Sequence, residues 1–225
     1  NIAKITSSDA GTEIESMSDD RSVVLKAKTK TPIGDFEGTF GMANLNKLDL
    51  HLKCPEYKEG AKINVVRETR NGANVATGIH FQNAAGDFKN DYRFMNEAII
   101  NEKLKTVKFR GATWNIEFQP SVTAIQRLKF QSAVHNEETV FQVSTKNNNL
   151  VFSFGDQSTH EGSFVFQPNV TGSLKQIWAW PVSAVQAILN LTGDITMKIS
   201  DQGAMLISVD SGISVYDYIL PAQTK

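Results

Sequence analysis

The feature that most constrains this chain is the change of hydrophobic period in its C-terminal stretch, residues 177–223. Trp178, Ala179 and Trp180 form an apolar strand signal, and Pro181 then fixes a φ suited to a first helical turn. Val182, Val185, Ala187, Ile188 and Leu189 give the helix one apolar side, and Gly193 ends the segment. Period two follows. Ile195, Met197 and Ile199 alternate with Thr196 and Lys198, Asp201-Gln202-Gly203 turns, and Met205, Ile207 and Val209 alternate again. After Ser211-Gly212 a last run carries Ile213, Val215 and residues 216–220, so the predicted order is β-α-β-β-β.

The same order recurs upstream. Residues 12–16, 23–28 and 35–42 read as strands, with Asp19-Asp20 and Thr31-Pro32-Ile33-Gly34 as turns. Leu45, Leu48 and Leu52 then recur at helical spacing within 43–53, and Pro55 stops the helix. Residues 61–68, 76–82 and 88–95 are three more strands. Asn1 to Ile5 read as the tail of a helix whose beginning is missing, which implies a polypeptide trimmed at its N-terminus. Residues 96–112, with Lys103, Lys105, Lys108 and Arg110 and no firm period, are the expected connector. Beyond it come a strand at 114–119, a helix of roughly fifteen residues opened by Pro120-Ser121, and strands at 139–145, 150–154 and 163–167. Asn147, Asn148 and Asn149 mark the hairpin between the first two. The chain thus contains four successive helix-then-three-strand units, two on each side of the connector, which is a repeat of architecture.

Composition narrows the function. A length of 225 residues, 40% hydrophobic and 21% charged, is that of an ordinary globular chain of one or two domains. A formal net charge of -1 excludes a uniformly basic coat for nucleic acid while allowing a locally basic face. Cys54 is the sole cysteine, which rules out an intrachain disulfide and a thiolate-rich zinc site and fits a reducing cytoplasm. No run of about 18 apolar residues could span a bilayer, so no membrane partner is expected. His51, His80, His135 and His160 are scattered without metal-ligand spacing, and no phosphate-binding glycine motif occurs. Asp156, Ser158 and His160 are better explained by a polar loop than by a catalytic triad, whose members converge from distant segments. No catalytic residue, metal or cofactor is assigned, and the chain is not expected to be an enzyme.

The C-terminal unit, with Lys198-Ile199-Ser200-Asp201-Gln202-Gly203 between its strands and Tyr218-Ile219-Leu220-Pro221 closing the last one, resembles the C-terminal half-domain of DNA sliding clamps. That family includes proliferating cell nuclear antigen and the processivity clamps of T-even-type bacteriophages. The resemblance extends over essentially the whole chain. It implies an α+β DNA clamp fold of two similar domains, each of two α-β-β-β units, with helices lining a ring and sheets outside. The domains would be 1–95, with a truncated first helix, and 113–225, joined by the connector at 96–112. It further implies a homotrimer around double-stranded DNA, bound without regard to sequence, that tethers a DNA polymerase and is opened by a clamp loader.

In this reading the DNA-facing residues are Lys4 on the first helix, Lys47 and His51 on the face of the second away from its leucines, and Arg127 and Lys129 on the third. Such contacts are long and mostly hydrated. The helix after Pro181 carries no basic residue, a departure from the pattern. Partner peptides would dock at Tyr218, Ile219, Leu220 and Pro221, with Ile99 and Ile100 as walls. The shortness of the chain suggests a bacteriophage source and the host cytoplasm. The rival readings are a strand-rich virion protein of a tail tube or capsid, a monomeric clamp-like processivity factor and a β-rich hydrolase.

Overall fold

The computed structural model describes residues 2–70, 72–104, 109, 111–156, 158 and 160–223. Two compact units divide the chain: Asn1–Arg21 with Leu25–Lys108, and Ser22–Val24 with Phe109–Lys225.

In the first unit, β1 (Ile2–Ser8), β2 (Gly11–Met17), β3 (Val24–Thr29) and β4 (Gly38–Ala43) come before α1 (Leu45–Lys53). Then follow β5 (Lys62–Arg70), β6 (Ala73–Gln82), β7 (Lys89–Arg93) and α2 (Glu97–Lys103). One sheet runs β4-β1-β2-β3 and the other β5-β6-β7. Ile5, Phe40, Met42, Tyr57, Phe81 and Tyr92 form the core, with Phe40 stacked on Phe94 at 4.3 Å between ring centroids. A buried polar knot holds the loop after β3: the Ser7 and Thr12 hydroxyls lie 2.6 Å apart, and Thr12 accepts from the Ile33 amide at 2.9 Å.

Two expectations are corrected here. The N-terminal stretch is a strand rather than the end of a helix. Ala3, Ile5 and Ser7 alternate into the interior, and β1 pairs antiparallel with both β2 and β4, so period two wins over a pattern too short to separate the alternatives. Residues 97–103, read as irregular connector, form α2. The Asn96 side chain caps that helix by accepting from the Ile99 amide at 2.9 Å.

The second unit contains β8 (Ile116–Phe118), α3 (Val122–Val134), β9 (Val140–Lys146), β10 (Asn149–Phe154) and β11 (Gly162–Gln167). These are followed by β12 (Trp178–Pro181), α4 (Val182–Leu189), β13 (Asp194–Ser200), β14 (Ala204–Asp210) and β15 (Ser214–Pro221). Each repeat of four strands and one helix donates its first strand to the sheet of the other. The sheets therefore run β11-β10-β9-β12 and β15-β14-β13-β8. Phe141, Phe152, Phe166, Trp180, Val185, Met197, Ile207 and Leu220 lie in a core to which both sheets and both helices contribute.

The turns follow their residues. Asn147 and Asn148 both have positive φ (50° and 59°) and join β9 to β10 in a two-residue hairpin whose flanking pair is Asn149 and Lys146. Gly203 (φ 76°) turns β13 into β14, and a Cβ there would fall 2.9 Å from the Trp178 ring. Ser121 caps α3 by accepting from the Ala124 amide at 3.1 Å. Pro181 is the N-cap of α4 rather than its first helical residue, because it still pairs in β12 with Val140.

Candidate nucleic-acid interface and docking strand

The expected cations fall in three different environments. Lys4 is on β1, largely covered, and its amine lies 3.8 Å from Glu15, the residue directly opposite it on β2. It occupies the face of its sheet opposite Ala3 and Ile5 and stands on no helix, which corrects its expected setting. Lys47 is exposed on α1. His51, expected beside it, instead turns toward the sheet and stacks on Phe81 with centroids 5.1 Å apart. The arc of α1 that meets the sheet is thus Leu45, Leu48 and His51. Leu52, expected in the buried stripe, is 61% exposed, because the sheet covers the His51 side of the leucine row and leaves the other side open.

Arg127 and Lys129 are both exposed on α3. At about 100° per residue they leave the helix on opposite flanks of its outward face, with Gln126 and Phe130 between them. Phe130 is 68% exposed and, with Arg127, Thr123 and Phe164 of β11, lines an apolar groove of about 380 Å³. This placement of a cation beside two aromatic rings was not legible in the sequence, because Phe164 joins Phe130 only through the packing of β11 against α3. Lys53 is a further exposed helix cation; Asp49, one turn back, lies 2.6 Å from it.

On β15 the four proposed docking residues separate by strand alternation. Leu220 is 0% exposed in the core of its unit, and its carbonyl accepts from the Trp180 indole at 3.1 Å. Tyr218 packs against the same core while half open to solvent, and burial, reinforced by neighbouring Tyr216, pushes its phenol above the usual tyrosine range. Ile219 is buried on the other face, and Pro221 is exposed. Leu220 and Ile219 are therefore structural residues, a correction to their expected accessibility.

The Ile99–Ile100 pair separates likewise. Ile99 points outward from α2, whereas Ile100 is 0% exposed and sits on Gly41 of β4, where an added Cβ would come within 2.7 Å of it. The sequence offers one signal for this: a glycine in mid-strand marks a close approach.

The polar loop at 155–162 holds its own turn, with the Asp156 carboxylate accepting from the Ser158 amide and hydroxyl at 2.8 and 2.6 Å. Among the described residues no group of three or more His, Cys, Asp or Glu is arranged to hold a metal, and no helix is long and apolar enough to cross a membrane.

No protein-family model matches the sequence, and neither does any curated protein sequence. Solved structures do. A structure of A. fulgidus PCNA with the C-terminal region of FEN-1 bound superposes with a TM-score of 0.68 at 10% identity, covering 100% of this chain and 90% of that one. PCNA from Thermococcus kodakaraensis gives 0.66 at 10% identity over 99% and 90% of the two chains. Proliferating cellular nuclear antigen from Entamoeba histolytica gives 0.66 at 12% identity over 100% and 90%. From its first strand to its last, the chain has a PCNA-like sliding-clamp fold, mixed α+β with mostly antiparallel sheets.

Proposed function

We propose that the chain is a DNA sliding clamp, a processivity factor that encircles duplex DNA and tethers a replicative polymerase. The observation that carries this reading is the match of the whole chain to PCNA structures, in a molecule whose helices α1 and α3 expose Lys47, Arg127 and Lys129. Such cations meet phosphates through hydrated contacts that hold a duplex without reading it. Topology then supplies the processivity, so the protein acts as a scaffold and needs no reaction of its own.

Within this reading the working divisions are 1–95, the connector 96–112 and 113–225. Three copies close head to tail by pairing of edge strands, for which β7 and β11, each paired on one side only among the described residues of its own unit, are the candidates. A clamp loader opens the ring. Tyr218, Pro221 and Ile99 remain accessible for a partner peptide, in the manner suggested by A. fulgidus PCNA with its bound FEN-1 terminus. The setting carried over from the sequence is a bacteriophage protein acting in the host cytoplasm.

The test is retention on DNA. Loaded with its clamp loader onto primed circular DNA, the protein should stay bound until the circle is linearised and then slide off. Lys47→Glu with Arg127→Glu should weaken retention by about tenfold or more at low salt. Equal retention on circular and linear DNA would overturn the ring.

A further inference from the structure

Strand β7 ends where the chain changes sheets. Phe94 still donates to the Thr77 carbonyl of β6 at 2.9 Å, but Met95 already pairs with Gly41 of β4, donating at 2.7 Å and accepting at 3.0 Å. The chain then turns into α2, so this ladder along β4 stops after a single pair. The N–H and C=O groups of a strand face the same edge at every second residue. Those of Thr39 therefore point to the same edge as those of Gly41, and none of the described residues bonds them there.

The facing edge is bare as well. β7 lies beside β6 only from Gly78 to Gln82, which leaves residues 73–76 of β6 with β5 on one side and no strand on the other among the described residues. Arg67 closes the far end. Its guanidinium donates to the Asp35 and Glu37 carbonyls at 2.9 and 3.3 Å and to the Asn74 carbonyl at 2.6 Å, tying the segment before β4 to β6. Between this clip and the crossing at 94–95 lies a cavity of about 880 Å³, walled by the edges of β4 and β6 and by one side of α2. Val75 and Phe94, which stacks on Phe40, supply its apolar surface. Glu97, exposed in the first turn of α2, has no ion-pair partner among the described residues, whereas Arg70 is held by Glu68 at 2.9 Å.

We propose that this slot binds an extended peptide that continues the β4 ladder by exchanging two main-chain bonds with Thr39, sets an apolar side chain against Phe94 and Val75, and places a lysine or arginine beside Glu97. The walls set the occupant. A half-buried N–H and C=O on one strand edge match the C=O and N–H of an antiparallel strand, as Met95 does one step along at Gly41. A purely apolar ligand would leave both groups unsatisfied. The site lies wholly within the first unit, and none of Tyr218, Pro221 and Ile99 lines it. The inference rests on these two edges and not on the DNA reading.

The probe is a fluorescein-labelled, end-blocked peptide of sequence Lys-Val-Thr-Val-Lys, titrated with the 225-residue protein at low salt and without DNA. Fluorescence anisotropy should show it binding about tenfold or more tighter than Glu-Val-Thr-Val-Glu, and Glu97→Lys should reverse that order while leaving the melting temperature little changed. Residue-resolved hydrogen exchange reads the main-chain bonds directly. The Thr39 amide should exchange about tenfold or more slowly with the basic peptide bound, with the amides of β14 unaffected. No binding at millimolar peptide, equal binding of the two peptides, or protection that appears on another strand edge and not at Thr39 overturns the proposal. Each of these results leaves retention on circular DNA untouched, so this inference and the clamp reading fail separately.

Discussion

Tyr218 shows how one side chain on β15 reports its surroundings. Its ring lies against the core beside Tyr216, and burial disfavours the phenolate, so its ionisation is displaced upward. The phenol is neutral in the folded and unfolded chain at pH 7. Above about pH 10, where a free tyrosine ionises, the unfolded chain loses the proton first. The folded state is then disfavoured until pH passes the raised folded value. Melting temperature should therefore fall more steeply above about pH 10 for the parent than for Tyr218→Phe, with the two nearly equal at pH 7. Parallel curves would show that Tyr218 is solvated as a surface residue. Gly41 is a second single-residue constraint, since its missing Cβ makes room for Ile100. Gly41→Ala should cost about 1–3 kcal/mol by urea melting. Adding Ile100→Val should recover part of that loss, as expected for two groups that compete for one space.

At the scale of elements, local chemistry and tertiary packing divide what the sequence could reveal. The β9–β10 hairpin was legible because the Asn147-Asn148 pair meets the demand of a two-residue turn for two positive φ values. Asn148→Val, which puts a branched Cβ into that region, should cost about 1–2 kcal/mol, while Asn148→Gly should be nearly neutral; chemical denaturation of each variant checks both. The alternation of β14 was legible for a similar reason, because period two buries Met205, Ile207 and Val209 on one face, while its partners β13 and β15 also bury Ser200 and Ile219 on their other faces. Other elements carried weaker signals. α2 has only seven residues, and mid-strand Gly41 signals a close approach without identifying Ile100 as the side chain that makes it. α1 was placed within two residues of its start, yet its orientation escaped, because His51 finds an aromatic partner in Phe81 while nothing among the described residues covers Leu52. Of the expected cations, Lys47, Arg127 and Lys129 reach solvent from helices, and Lys4 could not, because its strand was read as helix.

For the molecule as a whole, the proposed ring makes a demand on the edge of β11. Among the described residues that strand pairs with β10 alone; it exposes Val165 and is flanked by Phe130 on α3. An edge with these features invites pairing with another chain unless a charge blocks it. In the proposed trimer, β7 of the next copy would take that edge and would cover the apolar groove lined by Arg127, Phe130 and Phe164. Val165→Lys places a charge where the joint would form without entering the core of its own unit. Light scattering over a range of concentrations should then give a mass near three subunits for the parent and near one for the variant, with the melting temperature of the monomer little changed. Retention on circular DNA should disappear with the trimer even though Lys47, Arg127 and Lys129 are intact, because a ring holds DNA by closure and exposed cations alone release it as salt rises. A variant that stays trimeric would place the joint on another edge, and a parent that is monomeric at every concentration would remove the basis for a ring.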